Sequence, residues 1–232
     1  MKNIEFLSRE EFIEHVKDLD DGHWTKDTIR NRWDYHNRVI ELIKATKITN
    51  SKKVLEMGTM GVSCVKNSDT IDFTEKWDFE GKNPTYVHDA RKSPWPIEDK
   101  QYDVFVALRV FQHLVPTQTE AVKQAFRISK KIILIIPEKY DNPIIPNSKG
   151  IKYNDFVSIL DGVHPNVYFS TSFGSLFYWD TENPSYLNLE QIMRNIKPPK
   201  VKPKVKPKVN VPISNKIKVK KALKKILKKI KG

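Results

Sequence analysis

A glutamate and two glycines follow a short apolar run and form the first pattern with chemical potential. The run covers residues 53–57 and continues into Glu56-Met57-Gly58-Thr59-Met60-Gly61. A glycine where a strand ends lets the backbone approach a ligand closely, and a carboxylate there accepts hydrogen bonds from ligand donors. Glu56, Gly58 and Gly61 are therefore candidates for binding a small molecule.

Acidic residues also accompany the next two apolar stretches. Asp69 and Asp72 lie in the segment Ser-Asp-Thr-Ile-Asp-Phe, and Asp89 follows residues 85–88. Either Asp69 or Asp72 is suited to accept both hydroxyls of a ribose, and Asp89 is suited to accept an adenine amino group beside the backbone amide of Ala90. Since ligands bind at the carboxyl ends of strands in open α/β sheets, these residues together predict a nucleoside site.

Two histidines are candidates for a general base. A hydroxyl substrate benefits from a proton acceptor near neutral pKa, which histidine provides. His113 follows the apolar run 102–108, and His164 lies in a loop before the last predicted strands. The alternative for His113 is a hydrogen-bonded position behind the site. Tyr35 and His36 are suited either to close over a ligand or to pack. No residue spacing is typical of a metal site.

Apolar runs separated by helical segments must position these residues. A capping box of Ser8 and Glu11 predicts a helix through about residue 19, and further helices are predicted over 25–46 and 118–128. One predicted strand carries Asp69 and Asp72. The others span 53–57, 85–88, 102–108, 131–136, 166–171 and 175–179. Apolar strands alternating with helices indicate a parallel sheet covered on both faces, closed here by an antiparallel pair. The predicted fold class is α/β and doubly wound.

Three stretches extend the pattern beyond single residues: VLEMGTMG, HDARKSPWPIEDKQYDVFVALRVFQHL and AFRISKKIILIIP. The second contains D-x-x-x-x-P-W-P-x-x-D-x-x-Y-D, which leads into a strand and a segment ending in His-Leu. Over about residues 30–140 the chain thereby resembles the class I S-adenosylmethionine-dependent methyltransferases, in particular the type 11-like group. The resemblance implies a mostly parallel, seven-stranded Rossmann-like sheet with a reversed last hairpin, and S-adenosylmethionine as methyl donor.

The resemblance also implies a role for each matching position. The implied contacts are Glu56, Gly58 and Gly61 with the methionine and ribose, Asp72 with the ribose, Asp89 and Ala90 with the adenine, and Ala107 and Arg109 with the methionine and the mouth of the acceptor site. Methyl transfer from a sulfonium needs no metal, so none is expected.

The chain departs from the family pattern in two places. Met60 stands where the family has its second glycine, which offsets Gly61 by one position. The segment before residue 85 is short, so only about residues 62–66 are available for the first crossover helix. Asp72 follows Gly58 by 14 residues, whereas a βαβ unit places its ribose acid about 20 residues on. Asp69 therefore remains a competitor for the ribose, and a scaffold without catalysis remains an alternative.

The net charge of +13 over 232 residues is confined to the C-terminus. Residues 197–232 contain 15 lysines and no acid, which leaves 26 basic and 28 acidic side chains elsewhere. Repeated Pro-Lys-Val-Lys units predict an extended spacer, and the last segment separates apolar residues from lysines on a helical wheel. We divide the chain into an N-terminal helical cap (1–50), a methyltransferase domain (51–196), a linker (197–212) and a basic amphipathic helix (213–232).

The basic helix predicts an anionic membrane surface as a partner, because lysines attract anionic lipid and an apolar stripe enters the headgroup region. Nucleic acid is the competing partner, but the tail has neither aromatic residues to stack on bases nor arginine. The single cysteine, Cys64, excludes a disulfide framework, and no apolar leader precedes residue 20. We expect a cytoplasmic protein, peripheral on the inner face of the membrane.

The expected function is O-methylation of a small molecule, a lipid-linked sugar or a surface glycan. The alternatives are a methyltransferase of RNA or protein that uses the tail for a polyanion, and an inactive cofactor-binding scaffold. Asn183-Pro184-Ser185-Tyr186 resembles the Asn-Pro-Pro-Tyr motif of adenine amino-methyltransferases, but that motif follows the fourth strand. Here the segment comes after the last predicted strands, so we expect a turn.

Overall fold

The structure is a computed structural model that describes residues 4–17, 25–73, 84–139, 147–171 and 174–186. The predicted linker and basic helix, residues 197–232, lie outside the described residues. Within the described part of the chain, no helix is long and apolar enough to cross a membrane.

Four α-helices and seven strands lie in the described residues. The helices are α1 (Arg9–Lys17), α2 (Lys26–Ala45), α3 (Gln118–Ile128) and α4 (Tyr153–Ile159), with 3-10 turns at Ser51–Lys53 and Phe111–His113. The strands are β1 (Val54–Met57), β2 (Asp69–Asp72), β3 (Tyr86–Val87), β4 (Tyr102–Leu108), β5 (Ser129–Ile136), β6 (Val167–Thr171) and β7 (Gly174–Asp180).

The strands form one seven-stranded sheet in the order β3-β2-β1-β4-β5-β7-β6. Strands β1 to β5 are parallel, and β7 runs antiparallel to both β5 and β6. The predicted fold class and the reversed last hairpin are therefore confirmed.

Local sequence signals set the helix starts. Ser8 and Glu11 form the predicted capping box, with bonds of 2.8 Å from the Ser8 amide to the Glu11 carboxylate and 3.2 Å from the Glu11 amide to the Ser8 hydroxyl. The Thr25 side chain accepts from the Thr28 amide at the start of α2. Each bond satisfies an amide that has no partner within its helix.

Both faces of the sheet are covered, as alternate residues of β4 show. Val104 and Val106 pack with α2 on one face, and Phe105 and Ala107 pack with α3 on the other. This burial on both sides explains why β4 is a continuous apolar run. Helix α2 therefore belongs to the same hydrophobic core as the strands.

The connection between β1 and β2 contains no helix, so the predicted crossover helix over residues 62–66 is wrong. Left-handed backbone at Gly58, Met60 and Gly61 turns the chain immediately after β1. Cys64 and Val65 then pack in the same core cluster as α2. Helix α2 thus covers the sheet face over which this connection crosses.

Candidate functional site

Gly58 lies at the carboxyl end of β1 in a position that only glycine fills comfortably. Its φ is +61°, and a Cβ there would lie 2.3 Å from Cγ2 of Val110. The Gly58 amide donates to the carbonyl of Ile71 in β2 over 3.3 Å. Gly58 therefore joins the ends of β1, β2 and the segment after β4 into one surface.

A tight turn follows Gly58 and is held from α2. Met60 and Gly61 have φ of +50° and +75°, and the Gly61 amide donates to the Thr59 hydroxyl at 3.1 Å. The guanidinium of Arg32, which is only 6% exposed, donates to the Thr59 carbonyl at 2.9 Å and approaches the sulfur of Met60 at 3.9 Å. Arg32 is a residue beside the candidate site that the sequence analysis missed.

His36 connects Arg32 to the β1–β2 connection. Nε of Arg32 donates to Nε2 of His36 at 3.0 Å, so the proton of the neutral ring is on Nδ1, which faces Sγ of Cys64 at 3.6 Å. Burial, and secondarily Arg32, hold the pKa of His36 well below its ordinary value. Tyr35 and His36 are both buried, so neither is an exposed cover for a ligand.

Glu56 is buried, and its carboxylate faces the β1–β2 connection. One oxygen accepts from the Cys64 amide at 2.7 Å. The other accepts from the Val65 amide at 2.8 Å and the Ser68 hydroxyl at 3.1 Å. Burial raises the pKa of Glu56, and these hydrogen bonds oppose that rise. The residue thereby fixes the connection whose turn carries Gly61.

The two aspartates of β2 lie at opposite ends of that strand. Asp69 begins the strand and accepts from Lys52 at 2.8 Å and from the Tyr102 hydroxyl at 3.0 Å. Asp72 ends the strand, and its carbonyl accepts from the His88 amide at 2.7 Å. Only Asp72 shares the carboxyl edge with Gly58, whereas Asp69 lies at the other end of the strand.

Asp89 and Ala90 follow β3 at the same edge. Arg91 donates to both carboxylate oxygens of Asp89, at 2.9 and 3.0 Å, and holds the pKa of Asp89 below its usual value. The buried indole of Trp95 donates to the Ala90 carbonyl at 3.1 Å. The Pro-Trp-Pro stretch of the sequence therefore fixes the backbone of the Asp89–Ala90 turn.

Ala107 and Arg109 mark the end of β4. Ala107 is buried among the residues that face α3. Arg109 has a φ of +61°, and its amide donates to the Ile135 carbonyl of β5 at 2.7 Å. The chain then turns over the strand ends, which places Val110 on Gly58.

His113 lies close to this edge, but both of its ring nitrogens have partners. Nδ1 is 2.7 Å from the Ser148 hydroxyl, and Nε2 is 3.0 Å from the side-chain amide nitrogen of Gln112. Burial, and secondarily Arg109, lower the pKa of His113. These contacts match the alternative of a hydrogen-bonded position behind the site.

His164 lies away from the strand-end residues, so the structure does not bring it together with the other predicted site residues. Its amide donates to the Ser185 carbonyl at 2.8 Å, beyond the far end of β7. Its Nδ1 is 2.9 Å from the Tyr153 hydroxyl. The antiparallel direction of β7 carries this region toward the amino ends of the parallel strands. Asn183 lies here too, in the predicted turn, with its amide on the Asp180 carbonyl at 3.1 Å.

Glu138 is a second residue that the sequence analysis missed. It follows β5 at the carboxyl edge, and its Oε1 accepts from the Tyr168 hydroxyl at 2.6 Å and from the Ser175 hydroxyl at 2.5 Å. The Ser170 hydroxyl lies 3.3 Å from that of Ser175. The signal in the sequence was its place two residues after a predicted strand.

One open cleft of about 390 Å³ lies elsewhere, beside the C-terminal ends of α4 and β7. Its lining includes Lys123, Leu160 and Trp179 but none of the predicted site residues. Among the described residues, no group of three or more histidine, cysteine or acidic side chains is arranged to hold a metal ion.

The residues brought together are those at the carboxyl edge of the sheet. They are Gly58, Gly61, Asp72, Asp89, Ala90 and Arg109, with Ala107 beneath them, Glu56 behind the first turn and His113 beside the last. The edge combines acceptors, backbone turns and a buried support, and it is the edge at which open α/β sheets bind their ligands.

Comparison with solved structures finds methyltransferases. Magnesium protoporphyrin IX methyltransferase from Synechocystis PCC 6803, with bound S-adenosylhomocysteine, is 16% identical with a TM-score of 0.50, and the match covers 73% of this chain and 91% of that one. The same protein with bound S-adenosylmethionine gives a TM-score of 0.49 at 16% identity, over 73% and 88% of the two chains.

A candidate methyltransferase of Bacillus halodurans C-125 is 19% identical with a TM-score of 0.40, and the match covers 50% of this chain but 64% of that one, less than two thirds of its length. No family model and no curated protein matches the sequence. The strand order and the Synechocystis match with a TM-score of 0.50 show that the chain has the fold of the class I S-adenosylmethionine-dependent methyltransferases, as the sequence resemblance implied.

Proposed function

We propose that the protein is an S-adenosylmethionine-dependent methyltransferase that methylates oxygen on a small molecule, a lipid-linked sugar or a surface glycan. The observation that supports this most is the placement of Gly58, Asp72 and Asp89 at the ends of three adjacent strands of a class I methyltransferase fold.

The cofactor-binding roles follow the strand ends. Asp72 accepts the ribose hydroxyls, and Asp89 with the Ala90 amide binds the adenine. Gly58 and Gly61 let the backbone approach the methionine and ribose, and Ala107 and Arg109 border the methionine. Glu56 acts through the connection that it holds at the Cys64 and Val65 amides.

The bound cofactor would supply an activated methyl group on a sulfonium. The residues of this chain then act by alignment, because holding two reactants in line removes several kcal/mol of entropic barrier. Fixed turns serve that purpose better than mobile ones. The left-handed residues at positions 58, 60 and 61, held from α2, meet this requirement.

Calorimetry with S-adenosylhomocysteine tests the cofactor site, and β2 offers a matched control. We expect Asp72→Asn to weaken binding by roughly 10-fold or more, since a hydrogen bond to a charged group is worth about 1.5–3 kcal/mol. Asp69→Asn, in the same strand but at the opposite edge, should leave affinity within about 2-fold while lowering stability by roughly 1 kcal/mol. Failure of the wild-type protein to bind would refute the proposed activity.

The tail supports a membrane surface as the place of action. Its 15 lysines over residues 197–232 occur without an acidic residue, and each lysine near anionic lipid contributes about 1 kcal/mol. We expect the full chain to co-sediment with anionic but not neutral vesicles, and a chain lacking residues 197–232 to stay in solution. Stronger binding to RNA than to anionic vesicles would favour the polyanion alternative.

A further inference from the structure

The carboxylate of Glu138 is held in a fixed orientation at the same sheet edge as the proposed cofactor site. The hydroxyls of Tyr168 and Ser175 both contact Oε1, at 2.6 and 2.5 Å. Burial, with the hydrogen bond to Glu138, raises the pKa of Tyr168, so the phenol stays a donor. Two donors on one oxygen fix the carboxylate plane against β6 and β7.

The second carboxylate oxygen of Glu138, Oε2, accepts neither of these hydrogen bonds. Within the part of the chain that the structure describes, the hydrogen bonds of the Glu138 carboxylate are both made by Oε1, and none is made by Oε2. A carboxylate oxygen accepts about two hydrogen bonds. The arrangement therefore leaves one acceptor on a partly buried, oriented group.

The strand register places Glu138 on the acceptor side of the proposed cofactor site. Leu108 pairs with Ile135, and Val110 contacts Gly58, so β4 separates β1 from β5. Neighbouring strands are about 4.8 Å apart, which puts the ends of β1 and β5 roughly 10 Å apart. A cofactor over β1 to β4 therefore leaves the ends of β5 and β7 for the molecule that receives the methyl group.

The surroundings of Glu138 suit a ring or sugar that carries a hydroxyl. The ring of Tyr153 meets that of Tyr168 edge-on, with centroids 4.8 Å apart, and Tyr168 packs on Phe177 at 5.1 Å. On the other side, the Ile151 amide donates to the Pro137 carbonyl at 3.2 Å. This hydrogen bond holds the segment 147–151 between His113 and Glu138.

We propose that Glu138 binds the hydroxyl of the methyl acceptor through Oε2 and takes its proton, an inference that rests on the proposed function. The acceptor oxygen forms a bond to the methyl carbon as the carbon–sulfur bond breaks, and the bonding pair stays on sulfur as a neutral thioether. The hydroxyl proton moves to Oε2. The products are a methylated oxygen, S-adenosylhomocysteine and a protonated Glu138.

His113 is less suited to this step because of its contacts. The Gln112 amide nitrogen already donates to the Arg109 carbonyl at 2.5 Å and lies 3.0 Å from Nε2 of His113. An amide nitrogen can only donate, so Nε2 of the neutral ring is the acceptor of that bond. His113 instead positions Ser148 and the segment that borders Glu138.

The inference can be tested without knowing the natural acceptor. The probes are two S-adenosylhomocysteine analogues in which a nitrogen replaces sulfur and carries either a 3-hydroxypropyl or a propyl group. We expect the wild-type protein to bind the hydroxypropyl analogue roughly 10- to 100-fold more tightly, the range for a hydrogen bond to a charged group. Glu138→Leu should abolish this preference and leave the affinity for S-adenosylhomocysteine within about 3-fold.

Two further variants keep the test decisive. Ser148→Ala removes a contact of His113 and should retain the hydroxyl preference, whereas Tyr168→Phe should reduce it in part. If thermal melting shows that Glu138→Leu is unfolded, Glu138→Gln takes its place. This variant should prefer the hydroxypropyl analogue less strongly than the wild type does. Binding of S-adenosylhomocysteine with no hydroxyl preference in the wild type overturns the role of Glu138 alone. Absence of any binding overturns the proposed function instead.

Discussion

The guanidinium of Arg32 reaches from α2 to the backbone carbonyl of Thr59 and makes a hydrogen bond of 2.9 Å, although 27 residues separate the two in sequence. Through this bond, a helix that precedes the sheet holds the turn after β1. A helix between β1 and β2 would ordinarily support that turn. Here α2, together with Glu56, supplies the support.

Replacement of Arg32 should therefore affect both stability and cofactor binding. We expect Arg32→Met to lower the free energy of unfolding by roughly 2–3 kcal/mol, because the Thr59 carbonyl and Nε2 of His36 lose a buried charged donor. The affinity for S-adenosylhomocysteine should fall by about 10-fold or more as the turn loosens. Urea unfolding and calorimetry measure the two effects.

Arg38 provides the control on the same helix. It is exposed and pairs with Asp34 at 3.3 Å, and such surface pairs contribute about 0–1 kcal/mol. Arg38→Met should leave the cofactor affinity unchanged. Equal affinities for Arg32→Met and Arg38→Met would show that the turn does not depend on α2.

Replacement of Glu56 by glutamine should lower the stability of the protein. Glu56→Gln puts an NH₂ group against a backbone N–H or the Ser68 hydroxyl, so at least one buried amide of Cys64 or Val65 loses its acceptor. A buried amide left without an acceptor destabilises the native state by about 1–3 kcal/mol, which is the expected loss of unfolding free energy. Ser68→Ala removes only the 3.1 Å bond and should show a smaller loss in the same urea titration. A Glu56→Gln variant as stable as the wild type would contradict this account.

The contact between Gly58 and Val110 makes a directional prediction about a pair of substitutions. Gly58→Ala places a Cβ 2.3 Å from Val110 Cγ2 at a φ of +61°, and left-handed strain alone is worth about 1 kcal/mol or more. The double variant Gly58→Ala, Val110→Ala removes the clash but keeps the strain. We expect the double variant to be more stable than simple addition of the two single effects, by roughly 0.5–3 kcal/mol for residues in contact. Additive effects in thermal unfolding would exclude the contact.

The buried ring of His36 should make stability depend on pH. The pKa of His36 is well below its ordinary value in the native protein, whereas in the unfolded chain it is about 6.5. Below pH 6.5 the unfolded state therefore binds a proton that the native state excludes, so the stability present at neutral pH is lost as the pH falls, by up to about 1.4 kcal/mol per pH unit.

His36→Gln keeps one acceptor for Arg32 and one donor for Cys64 but does not titrate. Its unfolding free energy should fall less steeply than that of the wild type between about pH 6.5 and 5. His113, whose pKa is also lowered by burial, titrates in both proteins, so the difference between the two curves is the quantity to measure. Parallel curves would assign the dependence to other groups.

Much of the fold could be predicted because burial leaves a clear trace in the sequence. The predicted span of β4 agrees with Tyr102–Leu108 since both of its faces are covered, and the helix predicted over 25–46 agrees with α2, Lys26–Ala45. The crossover helix failed because the left-handed turn at Met60, which is not a glycine, has no sequence signature. Helix α4 was missed since it has only seven residues.

The site was harder to predict where roles depend on register or on backbone partners. Asp69 and Asp72 share a four-residue strand, and only the pairing with β1 shows which one ends at the site. Arg32 escaped notice because its partner is a main-chain carbonyl, which any residue provides. Glu138 depends on the pairing of β5 with β7, where Ile136 lies opposite Ser175.

The position of α2 ahead of β1 has a consequence for how the chain folds. The helix ends at Ala45 and the strand begins at Val54, so contacts between α2 and β1 join near neighbours along the chain, whereas Val104 and Val106 of the same cluster come from β4. Contacts of short sequence separation form quickly, because little loop entropy must be lost first. During synthesis, α2 also leaves the ribosome before any strand of the sheet. Pulsed hydrogen exchange should therefore find the amides of α2 protected earlier than those of β1, whose ladder partners in β4 lie 50 residues further along the chain.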